Sequence, residues 1–172
     1  MLQKGGLAMK RLAQFVALFF LLCVTKVASA GEVILTISGD VAPPTQTQAW
    51  TFDLDALSAM PATTVTTTTV WTEGEQSFVG VSLSALLNHV GAAQGTIQAV
   101  ALNDYAVKIP TTDAVENGPI VAYSLNGAEM SVRDRGPLWI IYPFDENETY
   151  QSEEYYSRSI WQLDRIEVVA QE

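Results

Sequence analysis

The sequence has little of the chemistry that holds metal ions or nucleic acids. Its 172 residues include one Cys and one His, which cannot build a multi-histidine metal site, an internal disulfide or an iron–sulfur cluster. Basic residues are scarce from residue 31 onward, where five Lys or Arg stand against 19 Asp or Glu, a net charge of −14. Because phosphate backbones and anionic membranes attract basic clusters, we expect no nucleic-acid partner.

The first 30 residues have the pattern of an export signal. A basic start is followed by a mostly apolar run over residues 12–24 and by Ala28-Ser29-Ala30, a small-residue cleavage site. A helix over that run spans only ~20 Å, less than the ~30 Å hydrocarbon core of a bilayer, which favours cleavage over a membrane anchor. We predict a signal peptide over residues 1–30, the loss of Cys23 with it, and an exported, periplasmic protein that begins at Gly31.

The remaining 142 residues predict one domain, residues 31–172, in which strands outnumber helices. One or two helical turns should follow Asp53 as N-cap, and a second helix should run from Ser82, its N-cap, to His89, with Gly91 as the stop signal. The fold class is therefore α+β, dominated by strands, with a few short helices. Strands are predicted at 32–38, 64–71, 97–102, 105–109, 120–125, 137–142 and 160–169, the last of which closes the sheet.

Two local patterns refine this prediction. The threonine-rich run over 63–69 favours a strand because Thr is β-branched, and the alternation places Val65 on the face opposite Val70. Asn126-Gly127 predicts a tight hairpin turn after the strand at 120–125.

The sequence gives no support for a nucleophilic triad. His89 is the only candidate proton carrier, and on a helical wheel it lies about 110° from the centre of the apolar stripe. We interpret it as part of a solvated helix flank. The segment 80–84 lacks the second Gly of a nucleophile elbow, and Ser82 is accounted for as a helix cap.

Several segments, in their order along the chain, resemble the molybdopterin-binding domain of the sulfite-oxidase family over about residues 32–169. The resemblance implies that family's fold and its pterin site. Each segment also has a structural explanation, such as a helix cap, a hairpin turn, a core strand or, for 157–160, an edge strand, so the segments support the fold better than an activity. The segments are Phe78-Val79-Gly80-Val81-Ser82-Leu83-Ser84-Ala85-Leu86-Leu87, Ala101-Leu102-Asn103-Asp104-Tyr105 with Ile109-Pro110, Asn126-Gly127, Arg133-Asp134-Arg135-Gly136-Pro137-Leu138-Trp139-Ile140-Ile141-Tyr142-Pro143 and Ser157-Arg158-Ser159-Ile160.

The resemblance places a molybdenum-binding Cys roughly ten residues before Phe78, which is near Thr68 in this sequence. No Cys follows residue 23. A neutral hydroxyl cannot replace a soft thiolate as a tightly bound molybdenum ligand. We therefore predict the loss of the family's redox catalysis and no tightly held cofactor, with molybdopterin as the alternative.

The resemblance also implies which residues surround the pterin pocket. Three of the five basic residues after position 30 fall in the family-like segments, and their guanidinium groups suit phosphate or carboxylate. Ion pairing with neighbouring acids is the alternative for these arginines. Trp139 or Tyr142 could offer a stacking face for a ring. The predicted cofactor-binding residues are Thr68, Tyr105, Arg133, Arg135, Trp139 and Arg158.

Two function classes remain from the sequence. We favour a binding module that uses the pterin pocket for a small anionic or aromatic ligand and reports to an exported or membrane signalling or redox partner. The alternative is a molybdopterin-dependent oxidoreductase with a Cys-free metal site, in which Thr68 or a solvent oxygen replaces the thiolate. A structural domain without a ligand is the third interpretation.

Overall fold

Two β-sheets of five strands each form the framework of the computed structural model, which describes residues 31–44 and 49–171. The predicted signal peptide, residues 1–30, lies outside the described residues. None of the described helices is long and apolar enough to cross a membrane. In chain order the elements are β1 (Leu35–Gly39), β2 (Trp50–Phe52), α1 (Leu54–Ser58), β3 (Ala62–Thr68), β4 (Glu75–Ser82), α2 (Leu83–His89), β5 (Gly95–Ala101), β6 (Ala106–Pro110), β7 (Ile120–Leu125), β8 (Ala128–Glu129), β9 (Trp139–Ile141), α3 (Glu153–Arg158) and β10 (Leu163–Ala170).

The first sheet has the strand order β2-β1-β10-β5-β6. Its neighbouring strands run antiparallel except β1 and β10, which are parallel and place Thr36 beside Arg165. The strand nearest the C-terminus therefore lies in the middle of the sheet. The prediction that this strand closes the sheet is wrong, because β10 is held on both sides, by β1 and by β5.

The second sheet has the order β3-β4-β7-β8, and β9 pairs with the first half of β7, over residues 120–122. Strand side chains alternate between faces, and on β7 the side chain of Val121 joins the large core that the two sheets share. Its neighbours Ile120 and Ala122 join a smaller core on the other face, with Phe78 and Trp139. The second sheet is thus covered on both faces around β7.

The predicted helix signals are confirmed. The Asp53 carboxylate accepts a hydrogen bond from the Ala56 backbone N–H (2.8 Å) and caps α1. The Ser82 hydroxyl accepts from the Ala85 N–H (3.1 Å) and caps α2. After α2, Gly91 has φ +60°, a left-handed conformation that favours glycine.

The hairpin and the position of His89 also agree with the sequence. Asn126 and Gly127 both have positive φ, 51° and 81°, and connect the paired ends of β7 and β8. His89 is exposed at the end of α2, where its ring meets the edge of Trp50 at 5.1 Å.

Other boundaries and assignments differ from the prediction. β3 ends at Thr68, with Val65 and Thr67 buried on the same face, so Val70 lies beyond the strand and is 61% exposed. The segment 157–160 is not an edge strand, because Ser157 and Arg158 complete α3. Glu153 and Glu154 at the start of that helix and Arg158 at its end stabilise it through the helix dipole and an (i, i+4) ion pair. The sequence prediction also omitted the strands β2 and β4.

Candidate ligand-binding site

A cavity of about 400 Å³ opens where the loop after β3, the β5–β6 turn and the end of α3 meet. None of the described side chains that line it carries a formal charge. Four of the nine are aromatic, and the polar members carry only amide or hydroxyl groups. The described lining residues are Trp71, Ala101, Asn103, Tyr105, Tyr156, Ser157, Ser159, Ile160 and Trp161.

One wall of this cavity is a set of aromatic rings centred on Trp71. The Trp71 ring meets Trp161 and Tyr156 edge-on, at centroid distances of 5.8 and 5.9 Å. Its backbone is fixed as well, because its N–H donates to the Thr69 hydroxyl (3.1 Å) and its carbonyl accepts from Arg135 Nη2 (3.0 Å). Rings held in this way form a wall that exists before any ligand binds.

Large exposed side chains lie in the cavity lining and, for Leu102, next to it in the chain. Tyr105 is 56% exposed, Leu102 46% and Trp161 37%. The two loops that carry them are joined, because the Leu102 N–H donates to the Gln162 carbonyl (2.9 Å). The ring surface at the mouth of the cavity therefore comes from Tyr105 and Trp161.

A smaller cavity of about 180 Å³ shares Tyr156 with the larger one and contains Thr68 and Asp145. The Thr68 hydroxyl donates to Asp145 Oδ1 (2.7 Å), and the Thr68 backbone N–H donates to Oδ2. In turn the Asp145 N–H donates to the Thr67 hydroxyl (3.1 Å). These hydrogen bonds, led by that from the Thr68 N–H, stabilise the carboxylate and hold the pKa of Asp145 below its usual value.

These residues do not fit the metal site that the family resemblance implies. Thr68, near the position of the expected thiolate, presents a hydroxyl that is already bonded to a carboxylate, and both groups are hard oxygen donors. Among the described residues that line the larger cavity, no side chain carries a positive charge to bind the phosphate of a pterin cofactor. A thiolate-held molybdenum site is therefore not present in this donor set.

The predicted anion-binding arginines lie around the cavity rather than in it. Arg158 has a nearly buried side chain (13% exposed) whose Nη1 donates to Asp113 Oδ2 (2.9 Å) and whose Nη2 pairs with Glu154. Its guanidinium also lies 5.0 Å from the Tyr155 ring centroid. The ion-pair interpretation therefore describes Arg158.

The other two arginines have different surroundings. Arg135 donates to the Trp71 carbonyl and lies 5.4 Å from the ring centroid of Trp139, behind the aromatic wall. Arg133 is exposed on the turn before it. Neither lines the cavity.

The Asp113 carboxylate also binds a second buried group that the sequence did not reveal. The Tyr142 hydroxyl donates to Asp113 Oδ2 (2.7 Å). Burial, followed by the charge of Asp113, raises the pKa of Tyr142 far above its usual value. The phenol is therefore neutral and serves as a hydrogen-bond donor in the core.

The predicted site residues are thus partly brought together. Tyr105 lines the larger cavity and Thr68 the smaller one. Trp139 and Tyr142 are completely buried, so they present no ring face at the surface. Ligand contact by the predicted residues remains a prediction. Sequence reasoning missed Trp71, Tyr156 and Trp161, although the last two directly flank the family-like segment 157–160 and could have been found there.

Comparison with known proteins agrees with this fold. The family model described as "oxidoreductase molybdopterin binding domain" matches residues 24–172.

Among solved structures, the sulfane dehydrogenase SoxCD from Paracoccus pantotrophus is similar, with a TM-score of 0.62 and 18% sequence identity. The match covers 83% of this chain and 39% of that chain, so this chain spans well under half of that protein's length. At this identity the similarity concerns the fold alone. No curated protein matches the chain. The predicted α+β, strand-dominated fold and the family resemblance are confirmed.

Proposed function

The chain belongs to the oxidoreductase molybdopterin-binding domain family, and from that premise we propose that it has kept the fold without the family's metal-based redox catalysis. It acts in the periplasm as an exported binding protein for a small anionic or aromatic ligand. Through an exported or membrane signalling or redox protein, it reports whether that ligand is bound.

The observation that carries this proposal is the pairing of Thr68 with Asp145. The hydroxyl near the expected thiolate position donates to a carboxylate at 2.7 Å, and no Cys follows residue 23. Soft, anionic sulfur is what holds molybdenum in a protein of this kind, and oxygen donors of this type are poor substitutes.

The binding function is supported by the larger cavity and its rim. A preformed concave site of about 400 Å³ with aromatic walls is typical of small-molecule sites. The lining residues Tyr105 and Trp161, together with the neighbouring Leu102, have exposed apolar side chains that a partner protein could contact when the cavity is filled.

Metal and pterin analysis tests the loss of the metal centre. We expect protein purified from a host that makes molybdenum cofactor to contain molybdenum well below one equivalent and to leave sulfite unoxidised. Thr68→Cys should not restore the metal, because the neighbouring Asp145 carboxylate and the uncharged cavity remain. Stoichiometric molybdenum in the unmodified protein would overturn the proposal in favour of the Cys-free oxidoreductase.

Thermal unfolding tests the binding function. A compound that binds only the folded state raises the melting temperature. A panel of small anions, pterins, nucleobases and other aromatic compounds should therefore contain compounds that stabilise the protein. If no compound does so, the chain is better described as a structural domain.

A further inference from the structure

We infer that the ligand of the larger cavity is an uncharged planar aromatic compound of one or two fused rings, held against the exposed rings of Tyr105 and Trp161. This inference rests on the proposed binding function and selects between the two ligand classes that it left open.

The size and shape of the cavity favour a small ring system. Its volume of about 400 Å³ lies near the lower end of the range for ligand sites. Trp71 and Tyr156 form a fixed wall, and Trp161 and Tyr105 add ring surface at the mouth. Flat aromatic ligands gain the most from such surroundings because they stack against ring faces and edges.

The charges around the cavity disfavour an anion. Arg158 is matched with Asp113, and Arg165 with Asp104 and Asp164. Arg135 donates to the Trp71 carbonyl but is not among the described lining residues. A carboxylate that entered the cavity would lose water without gaining a positively charged partner among the described lining residues. At longer range, the net charge of −14 for residues 31–172 repels anions from the whole surface.

The polar groups of the lining also suit a neutral ligand. The Ser157 hydroxyl donates to the Glu154 carbonyl (2.7 Å), and the Ser159 hydroxyl donates to the Tyr155 carbonyl (3.2 Å). Both hydroxyls have therefore used their only proton and can act toward a ligand only as acceptors. The amide of Asn103 adds N–H donors, since its oxygen accepts from the Tyr105 N–H (3.2 Å). A neutral ligand can offer a ring nitrogen or carbonyl oxygen to the Asn103 amide and an N–H to the serine hydroxyls, whereas a carboxylate has no proton to donate to those hydroxyls.

Matched pairs of probes test the ligand class. Quinoline-3-carboxamide and quinoline-3-carboxylate have nearly the same shape and differ by one negative charge at neutral pH, as do nicotinamide and nicotinate. Titration calorimetry of the purified protein should show the amide of each pair binding at least about ten-fold more tightly than the acid. The affinity of the amide should change little between low and high salt.

Substitutions identify the site. Trp161→Ala should weaken binding of the quinoline amide by about ten-fold or more, because it removes an exposed ring at the mouth. Trp50→Ala is the matched control, since Trp50 lies on β2 and does not line the cavity, and should leave the affinity unchanged. Asn103→Lys adds a positive charge to the lining and should shift the preference toward the acid by about ten-fold.

The possible outcomes separate the two levels of the proposal. Two results would overturn the inference that the ligand is a neutral aromatic compound but leave the binding function intact. One is tighter binding of the acids than of the amides by the wild-type protein, and the other is an equal loss of affinity in the Trp161→Ala and Trp50→Ala variants. Absence of binding by all four probes would also overturn it. The proposed binding function fails only if no compound of the wider panel, anions included, raises the melting temperature either.

Discussion

The substitution Asp113→Ala should destabilise the domain strongly, although Asp113 is a single acidic residue on a short 3₁₀ turn. Its carboxylate accepts hydrogen bonds from the Tyr142 hydroxyl (2.7 Å) and from Arg158 Nη1 (2.9 Å). The Asp113 and Arg158 side chains are only 9% and 13% exposed. Removal of the carboxylate leaves a buried phenol without its acceptor, and leaves the guanidinium with the exposed Glu154 as its remaining carboxylate partner.

The expected loss can be bounded from these contacts. Removing one partner of a buried, hydrogen-bonded ion pair costs about 3–5 kcal/mol. The free energy of unfolding of a whole domain is only about 5–15 kcal/mol. Tyr142→Phe removes a single hydrogen bond to a charged group, which costs about 1.5–3 kcal/mol. In the double variant Asp113→Ala/Tyr142→Phe, the loss of unfolding free energy should be smaller than the sum of the two single losses. The reason is that this variant has no phenol hydroxyl left without an acceptor.

Urea unfolding followed by tryptophan fluorescence measures these values. Asp104→Asn is the control, since it also removes an acid paired with an arginine, but the Asp104 side chain is 80% exposed and that of Arg165 44%. Asn replaces Asp104 here because the backbone has φ +64°, a conformation that Asn tolerates better than Ala. Surface pairs of this kind contribute about 0–1 kcal/mol. If Asp113→Ala and Asp104→Asn lowered the free energy of unfolding equally, the buried Asp113 pair would not have the structural role assigned to it.

Four further predictions follow from single features. Because the pKa of Tyr142 is raised in the folded state, the stability that its phenol supplies is present below the unfolded pKa of about 10 and is lost as pH rises above that value. In Tyr142→Phe the unfolding free energy should therefore decline less between about pH 9 and 11, and an unchanged slope would contradict this. The pKa of Asp145 is lowered in the folded state, so the stability that this carboxylate supplies is present above its usual pKa and is lost as pH falls toward its pKa in the folded protein. The unfolding free energy of Asp145→Asn should therefore fall less steeply with acid than that of the wild type, and an equal fall would contradict this. The difference should be small because the carboxylate is exposed. Gly80→Ala should cost at least about 2 kcal/mol in urea unfolding, since an added Cβ would lie 2.1 Å from the Val121 carbonyl oxygen; wild-type stability would refute that close approach. Intact mass of the exported protein should place the N-terminus at Gly31, whereas a retained apolar segment would favour the membrane-anchored reading.

The features that sequence predicted well depend on residues close together in the chain. Asp53 and Ser82 each cap a helix through an N–H three residues later, and Asn126-Gly127 forms its turn locally. The motif residue Gly80 also has a structural reason, because β4 passes so close to β7 at a register shift that no side chain fits there. Such patterns are visible in sequence because the physics that selects them acts over a few residues.

The site was less predictable because its partners are far apart in the chain. Nothing near Thr68 indicates that its hydroxyl meets Asp145, 77 residues later. Arg158 has Glu154 one helical turn away, which sequence can suggest, but its more buried partner is Asp113, 45 residues earlier. The burial of Trp139 was hidden for a similar reason, since the covering rings of Trp71 and Trp161 come from distant loops.

The central position of β10 sets the order in which the chain can fold during its synthesis. β1, near the start of the described residues, and β5, near the middle, both use β10 as a neighbour. Until the ribosome has made residues 163–170, those two strands have unpaired edges and the first sheet cannot assemble. Assembly of the first sheet therefore depends on residues 163–170 and cannot proceed strand by strand from the N-terminus.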